Sequence, residues 1–87
     1  MLNVKEKIAN SLSLPKEIAL DLPLITATGH SEVAIENYKN LLEFSDTRIR
    51  IRTKEGVLTI EGERLLLRYV TTENLLITGR IMGILFE

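Results

Sequence analysis

Leu41–Gly62 reads LLEFSDTRIRIRTKEGVLTIEG, and within it Thr47–Thr53 alternates without a break. Arg48, Arg50 and Arg52 point one way and Ile49 and Ile51 the other. A period of two is the signature of a pleated strand with one buried face. Lys54-Glu55-Gly56 supplies a short turn, since glycine takes positive φ at little cost. Val57–Glu61 resumes the alternation, with Leu58 and Ile60 on one side and Val57, Thr59 and Glu61 on the other, and Gly62 ends it. The stretch is a β-hairpin with a largely basic outer face.

The same short-strand pattern continues on both sides. Upstream, strands are expected at Leu24–Thr28, Glu32–Tyr38 and Leu41–Phe44, with turns at Gly29-His30-Ser31, Asn37–Asn40 and Ser45-Asp46. Downstream, Arg64–Thr71 is expected to place Leu65, Leu67 and Tyr69 on one face. Thr72-Glu73-Asn74 makes a corner, and Leu75–Thr78 and Arg80–Phe86 form a last pair around Gly79. Strands of this length and spacing predict an all-β fold, a mostly antiparallel meander, barrel or sandwich of about seven or eight strands. No repeat consensus supports a solenoid.

Before the strands, Val4, Ile8 and Leu12 recur every fourth residue, as on an amphipathic helix. Ser13-Leu14-Pro15-Lys16-Glu17 carries the signals of a second helix start, and Pro23 stops it. The 87 residues are therefore expected to form one domain, with a helical segment 1–22 packed on a β domain 24–87. The first helix has two other possible anchors, a partner protein or a membrane surface.

Net charge is −1, so bulk charge recommends neither nucleic acid nor an anionic membrane. Residues 1–46 hold four lysines and seven acids, net −3; residues 47–87 hold seven bases and five acids, net +2. The absence of cysteine removes disulfides, thiol nucleophiles and thiolate metal sites. With no signal-peptide core and no long apolar run, a cytoplasmic protein is expected. His30 is the single histidine, and no phosphate loop, nucleophile elbow or metalloprotease helix occurs. No enzyme activity, cofactor, metal or small-molecule substrate is expected.

Two features remain as candidate contact sites. Arg48, Arg50 and Arg52 stand about 7 Å apart along one strand face and suit the carboxylates of a protein partner. Their alternatives are cross-strand pairing with Glu43 or Glu61 and, less compatible with the missing aromatics, nucleic acid. The closing strands, Leu75 to Phe86, are apolar on both faces and are the expected self-association edge, with Leu75, Ile77, Ile81, Met82 and Ile84 prominent. Such strands need a cover on the second side or a copy of the protein at the edge, so a homo-oligomer or a protein partner is expected.

Several blocks resemble the YabP/YqfC family of sporulation proteins. They are Leu22-Pro23, Ile25-Thr26, Gly29, Val33, Ile35-Glu36-Asn37, Leu42-Glu43-Phe44-Ser45-Asp46 and Ile49-Arg50-Ile51. The series Gly56, Leu58, Ile60, Gly62 and the closing Leu75, Ile77, Gly79, Ile81, Ile84 follow the same pattern, which covers the chain from about Pro15. Leu24, Tyr38 and Asn40 depart from it. The resemblance implies a protein made in the mother cell during endospore formation, with the forespore surface as one place of action, that contributes to spore envelope or coat maturation. It implies no catalytic residues.

Overall fold

The computed structural model describes residues 20–87. The expected helix over 3–11 and most of the second one lie outside those residues. Leu20 and Asp21 form a turn rather than the end of a helix, and Pro23 follows in irregular chain. Six strands then occur: β1 Leu24–Thr28, β2 Glu32–Glu36, β3 Asn40–Phe44, β4 Arg48–Thr53, β5 Gly56–Val70 and β6 Asn74–Phe86. They make one sheet in the order β1-β2-β6-β5-β4-β3, with every pairing antiparallel.

The turns are built by short hydroxyl side chains. Thr53 Oγ1 accepts the Glu55 amide and donates to the Gly56 carbonyl, closing the β4–β5 hairpin. Ser45 Oγ accepts the amides of Thr47 and Arg48 between β3 and β4. Thr71 Oγ1 accepts those of Glu73 and Asn74 between β5 and β6. Ser and Thr do this because one short arm reaches an amide two or three residues on.

The strand count is six, fewer than the seven or eight expected, because two expected interruptions lie inside strands. Gly62 does not end β5, which runs for 15 residues. Gly79 does not separate two strands, but sits within the 13 residues of β6. Both glycines mark a place where the β5–β6 ladder slips. Its register shifts between Glu61 and Gly62, between Glu63 and Leu66, and between Leu67 and Tyr69. A β-bulge adds a residue to one strand and bends the pair.

These bends fold the sheet over on itself. In the sheet order β2 and β4 are separated by β6 and β5, yet Val33 and Ile35 share one core cluster with Ile49 and Ile51. Leu58, Ile60, Leu65, Leu75 and Ile77 complete its fully buried aliphatic part, with Ile25, Leu67, Ile81 and Ile84 packed against it. One layer holds β1, β2, the first half of β6 and the second half of β5. The other holds β3, β4, the first half of β5 and the second half of β6.

At the fold-over the backbones cross closely. A Cβ at Gly62 would run into the Arg80 carbonyl, and one at Gly79 would stand 2.6 Å from the Arg64 carbonyl oxygen. Gly79 also has φ +139°, where side chains are rarely found. The last register shift reverses the expected facing of Tyr69. It lies opposite Leu76 on the outer face and is exposed, while Val70 lies opposite the core residue Leu75. Tyr38, expected in a polar turn, is instead buried and donates its hydroxyl to the Thr71 carbonyl.

Gly79→Ala is expected to cost more than about 2 kcal/mol in urea denaturation, combining strained backbone with an overlap that only strand movement relieves. Gly29→Ala, where φ is +54° but nothing lies within 4 Å, is expected to cost about 1 kcal/mol.

Candidate functional site

β4 carries its arginines on the outer face of its layer, as the alternation requires: Ile49 and Ile51 are fully buried beneath them. Arg50 stands opposite Glu43 on β3 and Thr59 on β5, and Thr59 in turn stands opposite Leu85 on β6. Its guanidinium lies 3.2 Å from the Glu87 carboxylate and 4.0 Å from that of Glu43. Arg48 is in register with Glu61 and Arg52 with Val57 and Asn40. Of the two carboxylates suggested as cross-strand partners, Glu43 meets Arg50 at that 4.0 Å, and Glu87 approaches it more closely.

A groove of about 270 Å³ runs along this face, lined by Arg48, Arg50, Thr59, Glu61, Leu85, Phe86 and Glu87. Its floor includes Thr59 Oγ1, buried without a protein hydrogen-bond partner. Two arginines and two glutamates share the lining, so their charges cancel. A face of that kind has no surplus positive charge with which to follow a phosphate backbone.

The apolar candidates divide. Leu75 and Ile77 are core residues of the fold-over, and Ile81 and Ile84 are packed against that core. Met82 is 64% exposed, and Leu85 and Phe86, which lie within the expected contact run Leu75–Phe86, are 45% and 75% exposed. A sequence signal for this existed. Ile81 and Ile84 are three residues apart, a spacing that a plain alternating strand cannot place on one face. The extra residue is Met82, since Glu61 pairs with Gly83 and Gly62 with Ile81.

Among the described residues Met82–Phe86 is also an open sheet edge. β5 occupies one side of it. On the other side β2 pairs only as far as Thr78, and the β1–β2 turn reaches only to Gly79 and Ile81, whose amides donate to the Ser31 and His30 carbonyls. The segment from Ile81 to Phe86 holds no charged residue and no proline. The other edges also carry exposed apolar side chains, Leu42 and Phe44 on β3 and Leu66 and Tyr69 on the second half of β5, but these edges hold charged residues as well, Glu43 and Arg68, and β1 alternates threonines outward. An unprotected apolar edge is a template for another strand.

Across the molecule, residues 20–23 are strapped to the end of the sheet. Asn37 donates to the Asp21 carboxylate and to the Leu22 carbonyl, Lys39 bridges to Asp21 at 2.7 Å, and Lys54 donates to the Leu20 carbonyl. The hydrogen bond from Lys39, followed by that from Asn37, holds the Asp21 carboxyl below its ordinary range. This explains the Ile35-Glu36-Asn37 block as a packing device, and Asp46 likewise serves through its carbonyl, which accepts the Leu65 amide. Among the described residues no group of three or more His, Cys, Asp and Glu is arranged to hold a metal. No helix among them is long and apolar enough to cross a membrane. The membrane-surface alternative rests on the first helix and so lies outside the described residues.

With this geometry in place, comparison with known proteins gives a coherent result. The YabP family pattern matches residues 23–87, the whole of the described sheet. The uncharacterized protein YqfC of Bacillus subtilis (strain 168) is 32% identical over 78 residues, which span 90% of this chain and 84% of that protein. No solved structure matches the chain.

Arg50→Glu is expected to leave the fold intact, shifting stability by less than about 1 kcal/mol, because its ion pairs are exposed; circular dichroism with urea titration checks this. The depressed Asp21 carboxyl stabilises the strap above its unfolded pKa, and that contribution disappears as pH falls through the lower folded value. Lower amide protection at residues 20–22, relative to the intrinsic exchange rate at each pH, is therefore expected below about pH 4. Asp21→Asn should remove that pH dependence.

Proposed function

The chain belongs to the YabP family, and from that premise we propose that it is a non-enzymatic sporulation protein that works by protein contact. On this reading it is made in the mother cell and contributes to maturation of the spore envelope or coat. What supports the reading is the free Met82–Phe86 edge. A protein that acts by assembly needs an accessible surface whose burial is favourable, and backbone pairing combined with apolar side chains supplies one. The family resemblance supplies the process, and the edge supplies the means.

The contact surface is narrower than the full run Leu75–Phe86. Leu75 and Ile77 serve the core, while Met82, Leu85 and Phe86 are available to a partner. Arg48 and Arg52 flank the same layer and are suited to acidic residues at the rim of a contact.

A fluorescently tagged copy produced in sporulating Bacillus subtilis is expected to form a shell around the developing forespore. A signal spread evenly through the mother cell would refute the envelope role. Pull-down from that stage with Met82→Lys as the control bait is expected to lose the specific partner, because a lysine placed on the edge opposes strand addition.

A further inference from the structure

We propose that residues 1–19 lie along a seam between β3 and the second half of β5, with Val4, Ile8 and Leu12 turned onto the apolar side chains exposed there. This flank is separate from the Met82–Phe86 edge, and the proposal stands whether or not that edge is the contact surface.

The seam is a consequence of the fold-over. Just before β3, Tyr38 donates its hydroxyl to the Thr71 carbonyl, just after β5. At the other end the Leu65 amide donates to the Asp46 carbonyl and the Gly62 amide to that of Thr47. β3 and residues 66–70 therefore run antiparallel side by side and are fixed at both ends, yet among the described residues no ladder joins them. Leu41 and Phe44 face the core, opposite Ile51 and Ile49, and Val70 lies opposite Leu75. Core-facing side chains are normally covered, but these three are 38%, 49% and 52% exposed. They stand where the two layers part, so a cover from outside the sheet completes the core and shields two strand edges together.

The path of the chain selects the occupant. Pro23 and Ile25 line a small cavity with Val57 and Phe86, on the β6 side of the sheet end. Traced from there toward the N-terminus, the chain reaches Asp21, whose carboxylate is bridged by Lys39, the residue before β3. Asn37 holds Asp21 and Leu22 at the same place, and Lys54, in the neighbouring β4–β5 turn, holds the Leu20 carbonyl. The strap thus carries the chain from the β6 side to the β3 side and delivers it to the Tyr38 end of the seam. Nineteen residues precede Leu20. On a helix, Val4 to Leu12 spans about 12 Å, against about 17 Å for the five residues of β3. Residues 13–19 can span up to about 23 Å, enough to bring the stripe alongside. Lys5, Glu6, Lys7 and Asn10 lie elsewhere on the wheel and stay in solvent.

Hydrogen exchange of the full chain tests this, with circular dichroism checking the fold of each variant. Ile8→Asp is expected to lower amide protection at residues 40–44 and 66–70 about tenfold, and Lys7→Asp to leave it unchanged. Val70→Asp, at an exposed position, should lower the same protection. The double variant should lose no more than either single one, because both remove one contact. In this cysteine-free chain, Ile8→Cys combined with Phe44→Cys is expected to form a disulfide within one molecule on mild oxidation, and Ile8→Cys combined with Phe86→Cys is not. Equal protection in the wild type and Ile8→Asp would overturn the proposal and leave residues 1–19 to a partner or a membrane surface. Strictly additive losses would also overturn it. So would a disulfide to position 86 in preference to position 44, which would put the segment over the Met82–Phe86 edge, or one formed only between two molecules.

Discussion

The reciprocal crossing of Gly62 beneath the Arg80 carbonyl and Gly79 beneath the Arg64 carbonyl is the constraint on which the rest of the structure depends. Among the described residues the connections between the six strands are all short turns and supply no helix, and the sheet covers its apolar face with itself. Folding over requires the two longest strands to bend together, and bulges at matched positions are the means. At the bend the backbones approach more closely than any Cβ permits.

Once the sheet is folded, the location of the exposed apolar surface follows. The bend turns β6 from an internal strand, flanked by β2 and β5, into an edge strand flanked by β5 alone. One strand therefore carries two kinds of residue: Leu75 and Ile77 close the core, and Met82, Leu85 and Phe86 are exposed. The arginine face is different in kind. Arg50 is held between Glu43 and Glu87, and the groove beside it is electrically balanced. The central arginine of the triplet is thus satisfied within the chain, whereas the apolar edge is not.

Much of this was legible in the residues. The alternation Arg48–Thr53 placed Ile49 and Ile51 in the core, and the Lys54-Glu55 turn was read where it occurs. The block resemblance that led to the YabP family was carried by residues such as Asn37, which straps the chain to Asp21 and Leu22, and Gly62 and Gly79, which sit at the bend. Gly62 and Gly79 were read as strand ends, because a glycine between alternating runs marks a turn and a bulge equally well. Tyr69 was put on the wrong face because an unseen extra residue reverses parity for everything after it.

The sequence by itself determined the class of structure, the pairing of neighbours in the central hairpin and the faces of β4. Local periodicity and turn chemistry act over a few residues and leave their mark in the order of side chains. Only the tertiary structure decided that β5 and β6 are continuous, that they bend, and which part of β6 is buried. Those outcomes depend on contacts between residues far apart in the chain, Gly62 with Arg80 and Gly79 with Arg64, and a stretch such as Leu75–Phe86 is apolar throughout whether it closes a core or faces outward as an edge.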